Sequence, residues 1–317
     1  MYLKVLRMLK KKNAGKHSVT ILMGQFNETI AGKETIKSGI NSRPAGEFTD
    51  NPMIHLRLIK KLGLLPLMFS NMRELKKSSV GPHTVPAKTN ISTEELGKIE
   101  QKARELGAVS IGYTKVERDD IFEGFGILYP YAIVFSIEMN EEQIQKAPSY
   151  DTLKMIQKTY AQTGVVANEL TNYMRKLGFG AQAGPGLGGY AVYPVLAERA
   201  GIGAFGHHGL IITPETGSRH RLAVVYTNIE NLPLVKENKH KWIESFCEKC
   251  GKCIKKCPAK AIYETPVKTK GENIAYIDNK RCIQYFAKNY GCTVCVKECP
   301  FNKTNYNVIK KGFLPER

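Results

Sequence analysis

The spacing of the cysteines constrains this chain more than any other feature. All eight fall between residues 247 and 299 of a 317-residue sequence. The first group reads Cys247-x2-Cys250-x2-Cys253-x3-Cys257-Pro258, and the second is Cys282 followed by Cys292-x2-Cys295-x3-Cys299-Pro300. Cysteines three apart on a tight loop can present three thiolates to three iron corners of one cubane, while the cysteine ahead of the proline crosses to the neighbouring cubane. The spacing therefore predicts two [4Fe–4S] clusters, one on Cys247, Cys250, Cys253 and Cys299, the other on Cys282, Cys292, Cys295 and Cys257. A disulfide framework belongs to small secreted domains, and this chain is far too large to need one. Structural zinc uses paired Cys-x2-Cys knuckles rather than three cysteines in a row followed by Cys-Pro. Clusters joined in this way are expected to act as a short electron wire.

The rest of the composition is that of an ordinary globular chain, 42% hydrophobic and 24% charged, with room for a large core and a smaller module. The longest apolar stretch, Leu62–Met72, is broken by Gly63, Pro66 and Asn71, and a membrane helix needs about 18 unbroken apolar residues. Lys10-Lys11-Lys12 leads into polar residues rather than an apolar signal core, and a twin-arginine motif is missing. The expectation is a cytoplasmic protein without a transmembrane segment. The net charge of +18 is concentrated early, with 16 Lys/Arg against 5 Asp/Glu over residues 1–90. Such a surface can attract phosphate-rich partners. Without a nucleic-acid-binding motif beside it, the stretch reads as a basic, solvated N-terminal extension of unknown role.

From residue 91 the elements become legible. Ser92-Thr93-Glu94-Glu95 forms a capping box, and Leu96, Ile99, Ala103 and Leu106 follow at helical spacing up to Gly107. Ala108–Tyr113, Tyr131–Ile137, Leu210–Thr213 and Leu222–Thr227 read as strands, and Tyr150–Leu177 as a long helix or helix pair ending at Gly178. A glycine-rich loop is expected over Gly178–Gly189 and a polar linker over Pro233–His240. Helices and strands mix without a βαβ rhythm, which predicts an α+β core over 91–240 and a cluster module with a C-terminal tail over 241–317.

One further block stands out: Leu196–Gly203, then Gly206-His-His-Gly-Leu-Ile-Ile-Thr-Pro-Glu215, then Gly217-x-Arg219-x-Arg221. Its glycines would let backbone approach a flat or phosphorylated ligand. With Tyr173–Phe179, Phe246–Ile262 and Cys282–Pro300, this block resembles the cobalamin-dependent reductive dehalogenases and the related epoxyqueuosine reductases over roughly residues 95–303. The resemblance implies a nitroreductase-like α+β core that binds base-off cobalamin, followed by a bacterial ferredoxin-like module whose two clusters feed it electrons. It further implies that Gly201, Gly203, Gly206, His208, Thr213, Gly217 and Arg219 line the corrinoid pocket. By the same resemblance Tyr160, thirteen residues before Tyr173, is the proton donor. His207 stands where the family has a basic residue supporting that tyrosine. An imidazolium there could favour the phenolate only while protonated.

The expected activity is reduction of a small molecule, reductive-dehalogenase-like, with a ferredoxin or flavodoxin as electron donor. An epoxyqueuosine-reductase-like modification of tRNA is the alternative, but Gly184–Tyr193 holds no acid where that family uses an aspartate. A third reading is a ferredoxin-like electron carrier without a corrinoid.

Overall fold

The computed structural model describes residues 30–31, 52–79, 86–122, 125–268 and 274–314. Its centre is a four-stranded antiparallel sheet made of β1 (Ala108–Lys115), β2 (Tyr131–Glu138), β3 (Ala181–Gly184) and β6 (His220–Thr227), in the order β1-β2-β6-β3. The two-residue strands β4 (Ala204–Phe205) and β5 (Ile211–Ile212) pair beside it. Successive side chains of a strand point to opposite faces, and both faces of this sheet are covered. Ala132, Val134, Val224 and Tyr226 enter one apolar cluster, while Ile133, Phe135, Ala223 and Val225 enter the other. That two-sided burial is why Tyr131–Ile137 is almost continuously apolar rather than alternating.

Helices α3 (Thr93–Glu105) and α5 (Tyr150–Lys176) pack on the second face. The capping box at the start of α3 is present as expected: Glu95 N–H donates to the Ser92 hydroxyl at 3.2 Å, and Ser92 N–H donates to the Glu95 carboxylate at 3.1 Å. The long helix is a single element, and Gly178 follows it with a φ of +93°, a left-handed exit that suits glycine.

Two expectations about this region change. The glycine-rich stretch after Gly178 holds strand β3, and Leu210–Thr213 narrows to the two residues of β5. Upstream, where the sequence shows only short amphipathic pieces, α1 (Pro52–His55) is followed by a 21-residue helix, α2 (Leu58–Ser78), that contains Pro66. Packing against α5 explains its length. Asn71 donates to the Gln157 carbonyl at 3.1 Å, Asn168 donates to Glu74 at 3.0 Å, and Gly164 lets the Glu74 side chain lie against the α5 backbone. Of residues 1–90, those other than Ile30–Ala31, 52–79 and 86–90 lie outside the described residues.

After α4 (Glu141–Gln145) and α6 (Tyr193–Arg199) come the elements that carry the cysteines: α7 (Trp242–Cys250), α8 (Lys252–Lys256), strands β7 (Ile262–Lys268) and β8 (Ile274–Ile277), α9 (Asn279–Lys288), α10 (Val294–Glu298) and α11 (Tyr306–Phe313). The module is fastened to the core by a knot of Trp242, Ile243, Phe246, Phe301 and Tyr306 around Ala204 and Ile212. Its polar atoms are matched: Trp242 donates to the Tyr306 hydroxyl at 2.9 Å, and His240 Nδ1 lies 2.7 Å from the same oxygen. Beside it, buried Asn302 accepts from Ser218 N–H at 2.9 Å and donates to the Ser218 hydroxyl at 3.1 Å.

Candidate functional site

The two cysteine runs fold alike, for a reason carried by their prolines. A proline disfavours the helical conformation in the residue before it. Thus α8 and α10 each end one residue short of their Cys-Pro pair, and Cys257 and Cys299 are extended, with φ −65° and ψ 113° or 127°. Each is turned away from the run it follows. Cys299 lies with Cys247, Cys250 and Cys253 around one small cavity, which His207 and His208 also line. Cys257 lies with Cys282, Cys292 and Cys295 around a second small cavity.

The donor set suits a polynuclear group. No three His, Cys, Asp or Glu side chains among the described residues converge tightly enough to hold a single metal ion, whereas four thiols at a time surround each cavity. None of the eight is in a disulfide. Burial, reinforced by neighbouring thiols, pushes Cys247, Cys282 and Cys299 up to about 12 and Cys253 up to about 11. Burial also raises Cys295 well above the usual thiol range. These are thiols that give up their protons to a positively charged group and not to bulk water.

His208 supports the same conclusion. Its Nδ1 accepts from Leu210 N–H at 3.2 Å, so Nε2 carries the ring proton. Burial holds the ring's pKa down at about 4, so it is neutral at pH 7. Yet Nε2 is buried without a partner among the described residues. An unmet buried donor beside four thiols is a place for a sulfur acceptor.

The tyrosine and the cation expected beside it are placed differently from the sequence reading. Tyr160, on α5, packs against the same apolar cluster as Cys295, made of Met139, Ile144, Ile156 and Val296. The cation over its ring is Arg221, with the guanidinium carbon 4.8 Å from the ring centroid. His207 is spent elsewhere: its Nε2 lies 2.8 Å from the Tyr263 carbonyl oxygen and its ring meets Tyr276 edge-on. Arg221 was available to sequence reasoning in Arg219-x-Arg221, but only the strand register, which sets it beside Ile137, shows where it points. Its Nε is buried and unpartnered among the described residues.

The residues of the expected corrinoid-lining block make the following contacts. Gly201 packs under Val235, Gly203 against Ile211 and Ile212, and Gly206 against His208 and Ile212. Gly217, with φ +57°, lies against Phe301 and Asn302. Thr213 is buried with its hydroxyl 3.1 Å from that of Thr216. Arg219 donates to Glu138 at 2.5 Å and to the Met139 carbonyl at 3.1 Å. Gly203, Gly206 and Gly217 serve close approach, but of the chain to itself and to the cluster module.

A cavity of about 780 Å³ runs between α4, α5 and the end of β2, and its lining includes Glu138, Gln143, Asp151, Lys154 and Lys158. Thr159, next to Tyr160, and Ile137, the strand partner of Arg221, lie on its wall. The Gln143 side-chain oxygen is buried there without a donor among the described residues.

Comparison with known proteins defines the class first. Residues 246–302 match the family of 4Fe-4S double cluster binding domains, a stretch that contains all eight cysteines. The chain is 32% identical over 222 residues to a tetrachloroethene reductive dehalogenase of Desulfitobacterium hafniense, covering 64% of this chain and 39% of that protein. An epoxyqueuosine reductase of Francisella cf. novicida is 32% identical over 126 residues, covering 37% of this chain and 34% of the other. Among solved structures, a catabolic reductive dehalogenase, NpRdhA, superposes with a TM-score of 0.66 at 18% identity, over 78% of this chain and 39% of that one. The chain is therefore a relative of the reductive dehalogenases and epoxyqueuosine reductases, with a dehalogenase-like α+β fold and a double-cluster domain. It spans about two fifths of the length of the dehalogenases that it matches. No helix among the described residues is long and apolar enough to cross a membrane.

Proposed function

We propose that this chain is the electron-transferring and proton-donating part of a cobalamin- and iron–sulfur-dependent reductase acting on a small molecule in the manner of the reductive dehalogenases. One observation carries the reading: Tyr160 lies beneath the Arg221 guanidinium and packs on the same apolar cluster as Cys295. Proton delivery and electron delivery thus meet at one place. The dehalogenase match covers 64% of the chain against 37% for the epoxyqueuosine reductase, which supports the first reading; tRNA modification is the alternative.

Cys247, Cys250, Cys253 and Cys299 would hold one [4Fe–4S] cluster, and Cys257, Cys282, Cys292 and Cys295 the other. The corrinoid's carboxamide fringe suits the cavity between α4 and α5, where Gln143 offers an unmet acceptor, Glu138 and Asp151 offer carboxylates, and Lys154 and Lys158 offer donors. When bound, the clusters supply one-electron carriers and the corrinoid a low-valent metal centre for reducing the substrate. The chain's own work is to exclude water and to manage the proton. A phenol is a weak acid near neutral pH. A cation over its ring favours the negative charge left on the Tyr160 oxygen once the proton has gone to the substrate.

The test uses anaerobically reconstituted protein supplied with cobalamin, a reduced viologen and a halogenated phenol. Tyr160→Phe should bind both cofactors, as read from their absorbance, while losing reduction by a factor of about 100 or more. Arg221→Leu should bind them too and lose a smaller factor. Full activity in Tyr160→Phe would remove the proton-donor assignment, and failure to bind cobalamin would remove the corrinoid.

A further inference from the structure

The loop between β4 and β5 is where the core reaches the first cysteine tetrad. It is a tight turn: Gly206 N–H donates to the Leu210 carbonyl at 2.8 Å, and Gly209 N–H donates to the Gly206 carbonyl at 2.8 Å. Gly209 takes a φ of +73°, which lets the chain reverse there. From this loop His207 N–H donates to the Cys247 sulfur, and from the start of β6 the Ser218 hydroxyl donates to the Cys299 sulfur. The core thus supplies hydrogen bonds to thiols at two corners of the tetrad. The second tetrad is supplied differently. Ala261 N–H donates to the Cys257 sulfur at 3.4 Å and Val294 N–H to the Cys292 sulfur, both from the module's own backbone.

His208 offers the first tetrad a further donor. Its ring is 2% exposed and lines the cavity that Cys247, Cys250, Cys253 and Cys299 surround. The ring is held at two points. Leu210 N–H occupies the Nδ1 lone pair at 3.2 Å, and Gly206 lies so close that an added Cβ would stand 2.7 Å from His208 Cε1. A ring nitrogen that accepts a hydrogen bond does not carry the proton, so the ring is neutral and Nε2–H is a fixed donor. Nε2 finds no acceptor among the described residues. A buried donor left unpaired is destabilising, so it marks where an acceptor is to come.

We propose that His208 donates a hydrogen bond from Nε2 to a sulfur of the [4Fe–4S] cluster on Cys247, Cys250, Cys253 and Cys299, and thereby raises the reduction potential of that cluster alone. The inference rests on the cluster-binding reading given above. Reduction takes such a cluster from 2+ to 1+ with one electron from a low-potential donor such as a reduced viologen. No bond breaks, and the proton stays on Nε2. The added negative charge spreads onto the sulfurs, so the hydrogen bond is stronger in the reduced state than in the oxidised state. Hydrogen bonds to the sulfurs are one of the means by which a protein sets a cluster's potential.

The test is a potentiometric titration of the anaerobically reconstituted full chain, followed by electron paramagnetic resonance of the reduced clusters. His208→Met removes the donor at similar length, whereas His208→Gln keeps one on its amide nitrogen. In His208→Met the reduction equilibrium of one cluster should become less favourable on the order of tenfold, which is about 59 mV for one electron. The other cluster should keep its wild-type potential, and His208→Gln should recover most of the loss. Wild-type protein carrying histidine labelled with nitrogen-15 in the ring alone should show a nitrogen coupling to a reduced cluster. The ring of His207 is engaged elsewhere, through its Nε2 at the Tyr263 carbonyl. Unchanged potentials in His208→Met, equal shifts of both clusters, or a His208→Gln protein no better than His208→Met would overturn the assignment. So would wild-type protein without the ring-nitrogen coupling, a result that decides the matter even where both variants lose a cluster. Absence of any cluster signal in the wild type would instead defeat the cluster reading itself.

Discussion

Asn302 is the side chain whose loss should most clearly separate the cluster module from the core. It is 4% exposed and makes three bonds: its oxygen accepts from Ser218 N–H, and its nitrogen donates to the Ser218 hydroxyl and to the Val296 carbonyl. In Asn302→Ala the Ser218 N–H is left buried and unpaired, which costs about 1–3 kcal/mol. The Val296 carbonyl keeps the Cys299 N–H at 3.1 Å, so its loss is that of one ordinary bond, about 1 kcal/mol. The total is about 2–4 kcal/mol, a large share of the stability of a typical domain. Ser218→Ala removes only the hydroxyl and keeps the backbone bond, so it should cost about 1 kcal/mol or less. Urea unfolding followed by circular dichroism reads both changes, and iron retention after gel filtration reads the consequence for the nearby Cys299. An Asn302→Ala protein within about 0.5 kcal/mol of wild type, or a Ser218→Ala protein that is the worse of the two, would refute this reasoning.

Two further outcomes follow from the same geometry. Cys257→Ala should damage the cluster shared with Cys282, Cys292 and Cys295 and leave the other spectroscopically intact, which electron paramagnetic resonance of the singly reduced protein can distinguish. His220 is buried, and desolvation with the adjacent Arg221 charge holds its pKa at about 3. The unfolded chain therefore binds more protons between about pH 3 and 6.5, and stability falls as pH drops through that window. By pH 5 this one histidine should cost about 2 kcal/mol relative to pH 8, and His220→Gln should flatten the profile of urea midpoints accordingly.

The cluster ligands were legible because cysteine spacing and the following prolines act locally. Three residues of sequence decide where a thiol points, and the crossed tetrads emerge as the spacing implied. The capping box at Ser92 and the extent of Tyr150–Lys176 were legible for the same reason. What could not be read was tertiary. The glycines of residues 201–217 record in sequence only that something comes close, and their neighbours in the chain's own packing and the cluster module became visible only in the fold. His207 was the cation expected beside Tyr160, and only the pairing of β2 with β6 brings Arg221 over that ring. Helix α2 was missed because Pro66 and Gly63 lower its intrinsic propensity, and the contacts that sustain it lie about 90 residues away on α5.

The central claim is that eight cysteines from two interleaved runs hold two cubane clusters. Iron and acid-labile sulfide analysis of anaerobically reconstituted protein, taken with its Mössbauer spectrum, tests it most directly. The account predicts about eight irons and eight sulfides per chain, all in [4Fe–4S]2+ signals. Four irons per chain, or stoichiometric zinc that iron and sulfide cannot displace, would contradict it.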